Sequence, residues 1–285
     1  MPAGSTIFDR TLLRARQRRA LRLGAETFLL DRVAAELAER LSAVLRQFDR
    51  AADVGTPTDA VCRALAGKVG SIEPVEIGND EAIRIPDQSL NLAVSALALQ
   101  FVNDLPGVLV QIRRALKPDG LFLAAMVGGE SLIELRQSFA QAESEVDGGL
   151  SPRVAPFADL RDLGALLQRA GFALPVIDSE RVAVRYGTVF KLMHDLRRMG
   201  AANALVERRR TPLRRATMLR MAEIYGERFS DPDGKLRATF EIVWLSGWAP
   251  DPSQQQPLKP GSARTRLADA LNTTEIPAGE KPGPG

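Results

Sequence analysis

Residues 52–61 read ADVGTPTDAV, and their types and spacing raise a chemical question. An acidic residue followed by Val-Gly ends an apolar run and precedes a helix-like stretch. An α/β protein turns its backbone beneath a nucleotide-like ligand in this way, because glycines allow φ > 0 and a close approach to the ligand. Asp53 and Gly55 occupy the first two positions of such a turn. Pro57 stands where a second glycine is expected, and proline fixes φ near about −65° and removes an N–H donor. Asp59 stands where a third is expected and adds bulk and charge. The stretch reads as a cofactor loop with impaired chemistry.

Other reactive residue types are sparse. The single cysteine, Cys62, excludes a disulfide framework and a Cys-based zinc site. The single histidine, His194, has only Asp195 beside it as a second ligand type and reads as a surface residue; no metal site is expected. Candidates for contact with an acceptor or partner are Asn103, Asp104, Glu130, Arg136, Ser151 and Arg153, because each falls in a loop or at a helix start after a strand-like run. Each also has a structural reading: Asp104 as a helix cap, Glu130 as a first-turn charge, Arg153 as an ion-pair partner. Tyr186, Trp244 and Trp248 read as packing residues.

These residues need elements to position them. A chain of 285 residues, 45% of them hydrophobic, supports one large domain with extensions and ample core. No run reaches the roughly 18 apolar residues of a membrane span. The start lacks the apolar core of a signal peptide, and a cytoplasmic, reducing setting is expected. Arg10, Arg14, Arg16, Arg18, Arg19 and Arg22 make the start basic and amphipathic. The plain reading is a solvated helix face with Leu12, Leu13, Leu21 and Leu23 packed on the body. Such a face could also meet nucleic acid, an anionic membrane or an acidic partner. VERRRTPLRRATMLR, residues 206–220, is also basic, but no nucleic-acid motif accompanies either stretch, so no specific nucleic-acid partner is expected.

Periodicity predicts helices over 26–48 and 58–67, a short strand over 49–54 and a weak strand over 69–77 interrupted by Pro74. LNLAVSALAL, residues 90–99, reads as a strand covered on both faces. A helix with Pro106 at its first position runs to KPDG, and 121–126 forms another buried strand. Ser131 and Glu134 have capping-box spacing for a helix reaching Val146. Further helices are expected over 159–170, 188–199 and 213–225. FALPVI and RVAVRY read as two strands and 238–248 as a long one. The alternation argues for an open α/β sheet. The domains expected are a helical extension over 1–48, a sheet domain over 49–249, and a Pro-rich, largely disordered tail over 250–285.

These residues carry a resemblance. The buried strand followed by FVNDLPGVLVQIRRALKPDGLFLAAM resembles the second half of a class I S-adenosylmethionine-dependent methyltransferase. With IFDRTLLRARQ, GGESLIELR, GGLSPRVAPFADLRDLGALLQRAGF and DPDGKLRATFEIVWLSGW in order, residues 7–266 are similar to the methyltransferase-like assembly factors of respiratory complex I. The mitochondrial branch of that family is associated with complex I assembly and with hydroxylation of an arginine on one subunit. A more distant similarity is to the malonyl-carrier-protein O-methyltransferase of biotin synthesis.

The resemblance implies a Rossmann-like methyltransferase sheet with added C-terminal helices. It also implies S-adenosylmethionine as cofactor and a protein partner such as a complex I subunit, with peripheral contact at the inner membrane. It carries cofactor contacts onto Asp53 and Gly55 in the loop, Asn79 and Asp80 on the adenine side, and Gln100, which with Phe101 replaces a His-Trp pair of the family. Asn79 stands where the family has aspartate. Glu76 is the only carboxylate near the end of the weak strand for the ribose.

Residues 55–90 number 36. One crossover with its strands takes about 30 residues or more, so only one fits comfortably where the family has two. The sheet is therefore expected to lack one helix–strand unit beyond its first strand, with a shallow cleft above DVGTP. Three functions follow. One is methyl transfer to a protein or carrier-bound acceptor, which can proceed by alignment alone. Another is arginine hydroxylation, which needs an oxidant. The third is a non-catalytic assembly scaffold that kept the fold and lost the cofactor.

Overall fold

Parallel strands must be joined by crossovers, and the lengths of the crossovers explain this sheet. The computed structural model describes residues 6–255 and 267–274. The chain divides into a unit spanning Met1–Asp251 and a second, Pro252–Gly285. In the second, Leu267–Ala270 makes one helical turn; residues 256–266 and 275–285 of the expected disordered tail lie outside the described residues.

The first unit holds a six-stranded sheet of order β2-β1-β3-β4-β6-β5. These strands are β1 (Arg50–Val54), β2 (Ser71–Val75), β3 (Leu90–Ala96), β4 (Leu116–Val127), β5 (Ala173–Tyr186) and β6 (Leu236–Trp248). β1, β2, β3 and β4 are parallel, and β6 runs antiparallel to both β4 and β5. A single strand lies beyond β1, as the short spacing predicts. Only α3 (Ala60–Ala64) links β1 to β2, and the 76–89 segment joins β2 to β3 without a helix. β2 is largely exposed, and Pro74 is tolerated there because an edge strand has one side free of ladder bonds.

Apolar residues sort onto both faces of the sheet. One layer holds α2 (Phe28–Ser42), α5 (Ile133–Val146), α7 (Val189–Arg198) and α8 (Arg215–Phe229), packed through Leu37, Phe139, Leu192 and Tyr225. The other holds α4 (Leu105–Ala115) and α6 (Leu160–Arg169), packed through Leu109, Ile112, Leu163 and Leu167. The arginine-rich helix α1 (Arg10–Arg22) is capped by Asp9, whose carboxylate accepts from Leu12 N. It lies against α7, and Leu13 joins Phe8, Phe101, Ala204 and Leu205 in a small buried cluster.

Three local expectations change. FALPVI and RVAVRY form one strand, because β6 pairs with it from Ala173 opposite Trp248 to Tyr186 opposite Leu236. LKPDG is not a turn before β4 but its opening, since β4 starts at Leu116 directly after α4. Ser131 and Glu134 do not form a capping box: Leu132, at φ 55°, takes the cap position. Ser131 Oγ accepts from Glu241 N at 2.9 Å, and the Glu134 carboxylate accepts from Thr239 N at 3.1 Å. The neighbouring strand β6 offers backbone groups that compete with the helix end for these side chains. Trp244 and Trp248 pack beneath guanidinium groups, with Arg40 4.3 Å and Arg46 4.9 Å from their rings. Most of the basic 206–220 run faces acids: Arg208 pairs with Asp9, Arg209 and Arg214 with Asp147, and Arg220 with Glu145. His194 is exposed, its Nδ1 3.6 Å from Asp195.

Candidate functional site

The loop after β1 is built from its own side chains. Asp53 is buried at the strand end, 2% exposed. Thr56 Oγ1 donates to Asp53 Oδ1 and accepts from Ala96 N at 3.0 Å, so one hydroxyl ties β1 to β3. Cys62 Sγ donates to Asp53 Oδ2 at 3.7 Å. Burial pushes the Asp53 carboxyl up to about 6, against the hydrogen bonds from Thr56 and Cys62. Burial, followed by the nearby Asp53 charge, pushes the Cys62 thiol up to about 11.

Gly55 has φ +78°, the left-handed conformation a cofactor loop needs. Glycine is also required there for space. A Cβ there would stand 2.8 Å from Ile77 Cδ1 and 3.2 Å from Ala98 Cβ. Gly55 N donates to Val75 O at 2.8 Å, so its amide is also committed. Glu76, the ribose candidate, points outward, 89% exposed and 3.2 Å from Arg14. Arg10 and Arg14 both donate to Ile77 O and hold this segment down. Asn79 and Asp80 form an exposed turn in which Asp80 Oδ1 accepts from Ala82 N at 3.2 Å. At the loop itself, a side chain larger than glycine at 55 would collide with Ile77, and the Gly55 amide is spent on Val75 O.

The cleft beside the loop is not shallow, which corrects the expectation drawn from the missing unit. A cavity of about 470 Å³ opens past Pro57 and Thr58. Gln100 lines it from a short turn after β3. The missing unit belonged to the far edge of the sheet, whereas α1, α2, α7 and the 153–157 loop enclose this space.

Of the acceptor-side candidates, only Arg153 lines the cavity. Arg136, Ser151 and Arg153 converge on one loop: Arg136 donates to Ala155 O at 3.1 Å, and Ser151 Oγ and Arg153 Nε donate to Glu143 at 2.6 and 2.7 Å. Burial pushes the Glu143 carboxyl up, but these hydrogen bonds outweigh it and hold its pKa below the usual carboxylate value. Asn103 clamps the N-terminal segment, accepting from Ile7 N and Phe8 N at 2.8 and 2.7 Å. Asp104 caps α4 by accepting from Gly107 N at 2.9 Å. Glu130 pairs with Arg181, away from the cavity.

Sequence reasoning gave no role to Glu81. Its buried carboxylate accepts from Asn103 N and Asp104 N at 2.7 and 2.6 Å, with Arg10 at 3.8 Å. Its acidic neighbours hid it in sequence, and no spacing rule would single it out. Among the described residues no group of three or more His, Cys, Asp or Glu is placed to hold a metal ion.

With this geometry in view, comparisons with known proteins are informative. Residues 26–175 match the model of a methyltransferase domain family. The arginine-hydroxylase NDUFAF5, mitochondrial, of Danio rerio is 36% identical over 289 residues, covering 93% of this chain and 90% of that protein. The protein of the same name from Homo sapiens is 35% identical, covering 98% and 90%. A malonyl-[acyl-carrier protein] O-methyltransferase of Xylella fastidiosa is 37% identical over 173 residues, covering 61% of this chain and 56% of that protein. The YcgJ protein of Bacillus subtilis superposes with a TM-score of 0.51 at 12% identity, over 75% of this chain and 98% of that one, a likeness of fold alone.

Proposed function

The chain belongs to the methyltransferase-domain family and, within it, to the family of the arginine-hydroxylase NDUFAF5. From that premise we propose that it serves respiratory complex I assembly by engaging a protein partner, a complex I subunit, without turning over S-adenosylmethionine through the Gly55 loop. The observation that supports this reading is the loop itself, with Pro57 and Asp59 where glycines are expected and the Gly55 amide committed to Val75 O. Work at the inner membrane would be peripheral; no helix among the described residues is long and apolar enough to cross a membrane.

Isothermal titration with S-adenosylmethionine tests it, on the native chain, on Pro57→Gly/Asp59→Gly and on Ile77→Ala. No binding heat is expected from the native chain, and a gain of binding by the loop variant would trace the loss to Pro57 and Asp59. Micromolar binding by the native chain would overturn the reading and return methyl transfer to first place.

Arginine hydroxylation is a second reading, favoured by the identity to proteins named for it across nine-tenths of their length. It predicts a one-oxygen mass increase on an arginine of the partner, dependent on the chain and an added oxidant. Unchanged mass in reconstituted mixtures would leave assembly without hydroxylation.

A further inference from the structure

The cavity beside the loop has walls of one character and a mouth of another. Leu30, Leu97, Leu135, Phe139, Met193 and Phe240 line its body. Its volume of about 470 Å³ falls within the small-molecule range of roughly 300–1,000 Å³. Apolar walls around such a space favour an apolar occupant over water.

At the mouth α1 meets the end of α7. Gly200 permits the close approach: at φ +71°, a Cβ there would stand 2.9 Å from Gln17 Cα. The crossing places Arg16, Arg19 and Arg197 around a second hollow, which shares Arg16, Arg197 and Ala202 with the cavity. Two carboxylates of this end are already engaged, Glu26 with Arg198 at 3.6 Å and Asp9 with Arg208 at 3.5 Å. Arg16 donates to the Asn203 carbonyl. Burial, then the neighbouring Arg208, pulls its pKa down despite Asp9, as expected of a cation short of negative partners.

Gln100 is 6% exposed in the cavity wall. Its amide nitrogen donates to Leu97 O at 2.7 Å, and its Oε1 has no hydrogen-bond partner. A buried acceptor left unpaired is costly, so it marks a place for a donor.

We propose that this cavity binds a single-chain amphiphile, its apolar tail in the cavity and its phosphate or carboxylate head between Arg16, Arg19 and Arg197. A hydroxyl or amide of the molecule donates to Gln100 Oε1. The same arginines, with Arg153 further in, repel a cationic head, so this is not a pocket for a free guanidinium. The inference rests on the reading of the Gly55 loop, because Pro57, Thr58 and Gln100 line the same cavity, and the S-adenosylmethionine titration tests that reading separately. A soluble acyl compound and an anionic membrane lipid share this chemistry.

The test is titration of the full chain with monomeric dodecyl phosphate, against dodecanol, dodecylguanidine and inorganic phosphate. One dodecyl phosphate per chain is expected, bound at least about tenfold more tightly than dodecanol, because charge-assisted bonds to the head add to burial of the tail. Arg19→Gln/Arg197→Gln removes most of that preference and leaves dodecanol binding unchanged. Ala202→Trp, at the junction of the two hollows, weakens both. Inorganic phosphate alone gives no measurable binding.

Equal or tighter binding of dodecylguanidine overturns the proposal. So does dodecyl phosphate binding unchanged in both variants, or no saturable binding by a chain with native circular dichroism and unfolding midpoint. Co-sedimentation with phosphatidylcholine vesicles, with and without phosphatidylserine, separates the sources. Phosphatidylserine-dependent sedimentation together with monomer binding identifies a lipid, and monomer binding alone identifies a soluble ligand. Sedimentation without monomer binding overturns the cavity site in favour of a membrane-facing arginine patch.

Discussion

Asp53 is a buried carboxyl at the end of β1, held by Thr56 and Cys62. Its carboxyl lies near about 6 in the folded chain, mainly through burial, against an ordinary value of 3.8. The unfolded chain therefore releases this proton first as pH rises. The stability contributed by neutral Asp53 is complete below about 3.8 and is lost by about 6. Asp53→Asn, which keeps an acceptor for Thr56 and cannot ionise, should not lose that stability. Across this window the stability of Asp53→Asn relative to the native chain should rise by roughly 3 kcal/mol, an order-of-magnitude figure from the size of the pKa change. Urea unfolding of both proteins at pH 4, 5, 6 and 7.5 would show it. Parallel pH profiles would mean that Asp53 titrates as an ordinary carboxylate. Asp53 and Gly55 were legible from residue type and spacing. The neighbour that crowds Gly55 was not, because Ile77 lies in a different segment, and nothing local to ADVGTPTDAV specifies what packs against it.

Elements here are held by polar side chains reaching across to a neighbour's backbone. Glu143 on α5 fixes the 151–153 segment through Ser151 N, Ser151 Oγ and Arg153. Its lowered pKa means that this support is present above the ordinary carboxylate value and lost as pH falls through the folded value. Glu143→Gln should destabilise the chain by about 1–3 kcal/mol at neutral pH, since Arg153 loses its buried anion. The loss should shrink at acid pH, and hydrogen exchange should quicken in residues 151–157. Unchanged exchange there would show that Pro152 and the Asn203 bond to its carbonyl suffice to hold the loop. Helices with strong apolar spacing were predicted to within a few residues, as α7 and α8 show. Ser131 and Glu134 misled because a capping box and a tie to a neighbouring strand use the same residue types. Only the arrival of β6, more than a hundred residues later, separates the two.

Across the whole molecule, the arginine-rich start is part of the body. Phe8 and Leu13 are buried with Phe101 and Leu205, and Phe8 meets Phe101 edge-on at 5.7 Å. Asn103 and Glu81 are tied to the same segment. Removing residues 1–25 takes away two large buried side chains, each contributing about 1.5–3 kcal/mol. It also uncovers the cavity mouth. The shortened chain should unfold at lower urea and bind anilinonaphthalene sulfonate. An unchanged midpoint without dye binding would make α1 an appendage. This placement also explains why the cleft is deep despite the lost helix–strand unit: the edge of the sheet shrank, while α1 and α7 roof the opposite side.

The sequence alone determined the α/β class, the family and the shortened edge. Each depends on local periodicity, on motif residues or on how many residues are available to cross a sheet. Tertiary structure decided which side chain crowds Gly55, that Arg16 and Arg19 share one hollow with the distant Arg197, and that an apolar cavity lies behind them. These are contacts between elements far apart in sequence, and their geometry follows from how the helices pack on the sheet, which no single stretch of the chain encodes.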